Sequence, residues 1–155
     1  MSTPRLRRLR PGDAAAAAAL DREIFPLEGP WDEDEYADAL RDPACTFLGA
    51  DAPGGGLAAA GGMLLIEPAA RLLTVGVAPG HRGRGLGGRL VDALLGLADG
   101  ANLPVALEVR AGNEAAIALY ERRGFRAAGL LKGYYQPGDA LAMMRPRKAA
   151  GRAGR

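Results

Sequence analysis

Apolar residues recur along this chain with two periods, and the period switches from segment to segment. Leu86, Leu90, Leu94 and Leu97 stand at helical spacing on one face of a helix predicted over 86–98 and stopped by Gly100. The Ala-rich run after Pro11-Gly12-Asp13 predicts a helix over 14–24 with Asp13 as its N-cap. Asp32 is expected to cap a helix over 33–41, whose first turn is loaded with acids and which Asp42-Pro43 ends. Asn113 is expected to cap another over 113–123, closed by Gly124 at the C′ position. Between these, short apolar runs bounded by Pro and Gly predict strands at 5–9, 46–51, 57–67, 72–77, 104–109, 125–130 and 140–145. The strands at 46–51 and 57–67 read as a hairpin, with Gly61-Gly62 making the second one soft. Residues 132–139 read as a loop. Four helices among about seven strands, the early strands in hairpins and the later ones linked by helices, predict a mixed α+β or αβα sheet.

Length and composition narrow this further. A chain of 155 residues fits one domain with a real core, and 48% hydrophobic with 25% charged residues is a globular composition. Aromatics are only 5%, so Leu, Val and Ala must build most of that core. The net charge of +2 is uneven: five of the 20 Lys and Arg residues lie in Arg145–Arg155, which holds no acid, so the body is mildly acidic. Residues 1–146 are expected to form the domain and 147–155 a basic, disordered tail. The single cysteine, Cys45, rules out an internal disulfide and a Cys-based zinc site, and reads as a small core residue. The single histidine, His81, rules out multi-His metal sites, and no metal is expected. No run of about 18 apolar residues occurs. Ala14–Ala19 lacks the bulky apolar residues of a signal peptide, so a cytoplasmic protein without a membrane or specific nucleic-acid partner is expected.

The candidate chemistry gathers in residues 75–90. A strand ends near Val77, a basic glycine-rich turn follows, and a helix starts near Leu86. Gly83, Gly85, Gly87 and Gly88 remove side chains where backbone can approach a ligand, while Arg82, Arg84 and Arg89 add positive charge. A helix N-terminus behind such a turn suits a phosphate or pyrophosphate. A plain βα connection rich in glycine is the bland alternative. Gly83-x-Gly85-x-x-Gly88 also satisfies the dinucleotide fingerprint, with Glu108 at about the spacing of the ribose-binding acid. Against that fingerprint, Ala78 to Arg82 separate the strand from the first glycine, and the chain after the turn is short. A Walker A loop is excluded, because Gly-Lys-Ser/Thr is missing.

The stretch Arg82-Gly-Arg-Gly85-Leu-Gly87, preceded by Val77-Ala-Pro79, resembles the R/Q-x-x-G-x-G/A signature of the GNAT family of acetyltransferases. The segment from Leu107 through Glu108, Asn113 and Tyr120 to Phe125 is similar to that of the bacterial ribosomal-protein-alanine N-acetyltransferases (RimI type). Gly133-Tyr-Tyr135, Asp139-Ala-Leu-Ala-Met143 and Pro30-Trp31 resemble the same subfamily, and the similarity covers most of residues 5–145. The resemblance implies a GNAT fold, a mixed and mostly antiparallel sheet with acetyl-CoA in a splay between the strands at 72–77 and 104–109. It implies direct acetyl transfer to the α-amine of a protein N-terminus, with a small-subunit ribosomal protein as substrate.

Individual residues then acquire expected roles beside plainer ones. Acetyl transfer needs a neutral amine, an oxyanion donor and a proton for the leaving thiolate. Glu108, the one charge within 105–109, is the candidate base; its plain role is a strand residue paired with Arg110 or another cation. Tyr120 is the candidate acid, as the family's matching tyrosine implies; its plain role is packing on Phe125. Asn113 is expected to cap its helix and to bond the pantetheine arm. Val75, Gly76 and Val77 are expected to offer backbone groups to pantetheine, and Arg82, Gly83, Arg84, Gly85, Leu86, Gly87 and Gly88 to hold the pyrophosphate. Trp31, Tyr134 and Tyr135 either wall a peptide groove or anchor loops. Asp32 to Glu35 with Asp38 either attract a cationic substrate or form a solvated helix start. Arg71 stands where many relatives carry an acid. A lysine or small-amine acetyltransferase and a non-catalytic acyl-CoA-binding module remain as alternatives.

Overall fold

The computed structural model describes residues 4–27, 29–135 and 138–148. Its strands are β1 (Arg7–Arg8), β2 (Cys45–Asp51), β3 (Leu57–Leu64), β4 (Ala70–Val77), β5 (Val105–Arg110), β6 (Arg126–Tyr135) and β7 (Gly138–Arg145). Its α-helices are α1 (Ala14–Ile24), α2 (Glu33–Arg41), α3 (Leu86–Gly100) and α4 (Glu114–Glu121). The strands form one seven-stranded sheet in the order β1-β2-β3-β4-β5-β7-β6. The pairs β1–β2, β2–β3, β5–β7 and β6–β7 are antiparallel, and β4–β5 is parallel. This is the mixed α+β architecture that the pattern predicts, and the mostly antiparallel sheet that the resemblance implies. The chain divides into two compact units, Met1–Leu64 with Leu72–Leu94, and Leu65–Arg71 with Leu95–Arg155.

The first unit builds its core from small residues around three aromatics. Ala14, Ala17, Ala18 and Leu20 of α1 pack with Tyr36, Cys45, Phe47 and Leu57, all buried. Trp31, Tyr36 and Phe47 meet edge-on or tilted, with ring centroids 5.1–6.1 Å apart. Leu86, Leu90 and Leu94 of α3 are buried as its period requires, with Val91 beside them, and Leu97 is half-buried. The glycine pair in β3 is not soft. The ladder runs through it in register, Leu48↔Gly61 and Phe47↔Gly62. A Cβ on Gly61 would lie 2.9 Å from the Thr74 carbonyl oxygen, and one on Gly62 would overlap the Phe47 ring. These glycines let a helix and a large ring sit directly on the strand.

Capping follows the sequence at two of three helices. Asp32 is extended (φ −89°, ψ 178°); its carboxylate accepts from Glu35 N at 2.8 Å, and Glu35 Oε1 accepts from Asp32 N at 2.9 Å. Two of the acids at the start of α2 are thereby engaged as helix caps. Asn113 Oδ1 accepts from Ala116 N at 3.1 Å. Asp13 does not cap α1. Pro11–Asp13 already form a 3-10 turn, which leaves Asp13 at φ −91°, ψ 1° rather than extended. Its carboxylate turns back to Arg10 N and to Arg7, at 2.7–3.0 Å.

In the second unit Val105, Leu107 and Val109 point into a core with Phe125, Ala140 and Met143, while Ala106, Glu108 and Arg110 alternate on the other face. Arg145 holds Asp99 bidentately at 2.9 and 3.1 Å and donates through Nε to the Arg123 carbonyl. Gly124 follows α4 with φ 96°, as a C′ glycine should. The loop expected over 132–139 is a correction. Residues 132–135 continue β6, and the ladder resumes at Tyr135↔Gly138 after an irregularity that Gly133 (φ 67°) accommodates. Two aromatics and a paired neighbour outweigh the local Gly and Pro signals. The centre of the expected loop (136–137) and the expected tail from 149 onward lie outside the described residues.

Candidate functional site

The glycine turn is built from backbone. After β4, a short 3-10 turn (Pro79–His81) leads to Gly83 and Gly85 at φ 82° and 75°, the left-handed region that side chains disfavour. A Cβ at either would meet no atom within 4 Å, so both face open space. Gly85 O accepts from Arg89 N at 3.0 Å and so starts the α3 ladder. Among the described residues, no backbone carbonyl outside the helix takes up the N–H groups of Gly83 to Gly88. That row of donors, with the positive end of a 15-residue helix behind it, fits a pyrophosphate.

Charge and packing divide the other residues of this region. Arg82 is spent partly on structure, its Nε donating to the Val77 carbonyl at 2.9 Å. Arg89 donates to the Pro4 carbonyl at 2.9 Å, and Arg84 is exposed. Gly76 answers to packing, because a Cβ there would lie 2.7 Å from Ile24 Cδ1. Leu86 is buried; Val75, Val77, Gly87 and Gly88 are half-buried. Trp31 packs on Tyr36 and Phe47, and its N–H donates to Asp21 Oδ2 at 3.0 Å.

The second unit carries the acid–base candidates. Glu108 lies opposite Ala142 on the half-buried face of β5, and its Oε1 accepts from Arg71 Nη2. Arg71 stands at the start of β4, in parallel register with Ala106. The partner of Glu108 is thus Arg71, a cation 37 residues away, and not its strand neighbour Arg110. Arg110 instead stacks over Tyr135, with Cζ 4.5 Å from the ring centroid. A Cβ on Gly138 would collide with that guanidinium.

Tyr120 is buried, 8% exposed, with its ring 5.6 Å from Phe125. Burial, with Tyr135 contributing, pushes its phenol up to about 12, so it holds its proton across the physiological range. The packing on Phe125 is present, and it fixes the ring without occupying the hydroxyl. Tyr134 and Tyr135 form a T-shaped pair at 5.1 Å, with Tyr134 52% exposed. They are strand residues on β6 and not members of a loop.

One chemically unusual group has no local sequence signal. Asp21, 7% exposed, accepts from Tyr36 Oη at 2.6 Å and from Trp31 N. Burial raises its pKa against the opposing effect of those hydrogen bonds. It ties the chain between α1 and α2 to the core. Among the described residues no helix is long and apolar enough to cross a membrane.

Known proteins supply a context for this geometry. The family model described as Acetyltransferase (GNAT) family matches residues 14–125. N-alpha-acetyltransferase RimI of Mycobacterium tuberculosis is 36% identical over 139 residues, 86% of each chain. The [ribosomal protein bS18]-alanine N-acetyltransferase of Escherichia coli K12 is 32% identical over 111 residues, 71% of this chain and 74% of that one. The crystal structure of the Escherichia coli ribosomal-protein-S18-alanine N-acetyltransferase superposes with a TM-score of 0.84 at 28% identity, covering 96% of this chain and 97% of that one.

Proposed function

The chain belongs to the GNAT family of acetyltransferases, and on that premise we propose that it moves an acetyl group from acetyl-CoA to the N-terminal α-amine of a protein. The row of N–H groups from Gly83 to Gly88, opened by two left-handed glycines, carries the cofactor half of this reading. Those groups with Arg84 would hold the pyrophosphate. The edge of β4 at Val75, Gly76 and Val77 and the amide of Asn113 would bond the pantetheine arm, the capping bond of Asn113 using only its Oδ1.

The amine attacks the thioester carbonyl directly: a C–N bond forms, the C–S bond breaks, and no covalent enzyme species intervenes. Glu108 takes the amine proton through water, and Tyr120 supplies the proton that the departing thiolate needs. An α-amine has a reference pKa near 7.7–8, so neutralising it near pH 7 costs about 1 kcal/mol, whereas a lysine near 10.4 costs several. One partly paired carboxylate therefore suits an N-terminal acceptor. Tyr134, exposed on β6, is the aromatic best disposed to meet a peptide in the second unit. The relatives' names support a ribosomal protein of the small subunit as acceptor, and with it a cytoplasmic site of action.

A mass-spectrometric assay tests this. Acetyl-CoA is offered with peptides bearing a free α-amine, the same peptides blocked there but containing lysine, and a polyamine. Acetylation confined to the free N-terminus, with Glu108→Gln lowering kcat by about 10²-fold or more, is the expected result. Transfer to lysine or polyamine alone would overturn the acceptor assignment.

A further inference from the structure

We propose that Arg71 sets acceptor choice, and that the preferred acceptor is a peptide N-terminus followed by an acidic residue. The inference rests on Glu108 being the base for α-amine transfer. An isolated carboxylate at an acceptor site attracts every cation, including lysine side chains and polyamines. Here the Glu108 carboxylate is bonded to the Arg71 guanidinium through Oε1. The pair is close to neutral as seen by an approaching substrate, so that indiscriminate attraction is lost. Arg71 is also the more exposed partner, its side chain 39% accessible against 21% for Glu108. Among the described residues, its hydrogen bond to Glu108 uses one of five guanidinium donors, leaving the outer edge able to receive a second carboxylate.

Geometry favours the residue after the acceptor. Consecutive Cα atoms are about 3.8 Å apart. A Glu or Asp at the second position can therefore reach a guanidinium adjoining Oε1 while the amine addresses the same carboxylate through water. A lysine at that position meets a like charge instead.

Three peptides differing only at the second residue, Ala-Glu, Ala-Gln and Ala-Lys, test this by kcat/KM with the acetylated position located by mass spectrometry. Wild type is expected to rank them Glu over Gln over Lys, each step about three- to fivefold, the size of a partly exposed ion pair. In 1 M salt, where the Debye length is about 3 Å, the steps should shrink to within twofold. Arg71→Lys should keep the order, Arg71→Gln should abolish the preference for Glu and leave any remaining bias toward lysine, and Arg71→Glu should invert the order further toward lysine. Equal rates for the three peptides with wild type, or a ranking that survives 1 M salt, overturns the proposal; neither result depends on a variant that folds. Retention of the order in folded Arg71→Gln overturns it as well. Failure of wild type to acetylate any of the three α-amines would instead overturn the underlying assignment of function.

Discussion

Replacing Tyr120 by Phe removes one oxygen and leaves the packing. The ring is buried on Phe125, and the variant keeps that contact, so stability at neutral pH should change by less than about 1 kcal/mol. The chemistry should not be spared. Burial pushes the phenol up to about 12, against about 8.5 for a free thiol. Complete transfer of its proton to a free thiolate is thus uphill by roughly 3.5 pH units, about 5 kcal/mol. The phenol should therefore act by sharing its proton with sulfur while the C–S bond breaks. A contribution at the low end of general-acid catalysis follows: kcat should fall about 10²-fold in Tyr120→Phe, with KM for acetyl-CoA within about threefold. The pH profile adds an independent check. In wild type kcat/KM should rise through the amine pKa near 8 and stay flat to about pH 11, because the phenol is still protonated there. Stopped-flow or coupled thiol-release rates between pH 6 and 11 read both quantities. A kcat within threefold of wild type would refute the acid role and leave Tyr120 as a packing residue. A falling limb centred near pH 10, absent from the Phe variant, would refute the raised phenol.

Three further outcomes follow from the structure. Gly85→Ala forces a left-handed φ of 75° on a residue with a side chain, at a cost of about 1–2 kcal/mol, or roughly 2–8 °C in Tm. Its Cβ would stand in open space beside the free N–H groups, so calorimetry should show acetyl-CoA affinity falling at least tenfold, whereas Gly80→Ala should leave it within about twofold. Gly62→Ala drives a methyl group into the Phe47 ring and should cost about 1–3 kcal/mol in urea denaturation, the signature of overpacking and not of a stiffened strand. Arg145 holds the Asp99 carboxyl below its usual range, so this pair stabilises the fold above the unfolded pKa near 3.8 and the effect is lost as pH falls through the folded value. Asp99→Asn should cost about 1.5–3 kcal/mol at pH 7 and progressively less than that below pH 3.8; a difference independent of pH would contradict the pairing.

What the sequence by itself determined is local. The caps at Asp32 and Asn113, the C′ glycine at Gly124 and the period of α3 are each written within a few adjacent residues, and each forms as expected. The glycine turn was legible for the same reason, since left-handed backbone at Gly83 and Gly85 is a property of those residues and their neighbours. Glu108 could be singled out because it interrupts an apolar strand, and Tyr120 because the resemblance pointed to it. Tertiary structure decided the rest, because it depends on pairing between distant segments. No window of sequence joins Arg71 to Glu108 or Asp99 to Arg145, 37 and 46 residues apart, yet the first contact pairs the candidate base with a cation and the second ties β7 to the last turn of α3. Asp21 reads as one more helix acid until folding buries it under Tyr36 and Trp31. The glycines of β3 read as weakness until Phe47 and Leu94 occupy the space they leave. Tyr134 and Tyr135 read as loop residues until β7 supplies hydrogen bonds that outweigh the flanking Gly and Pro. Side-chain charge and volume are present in the sequence, but which of them neutralise or fill one another is settled only when the strands align.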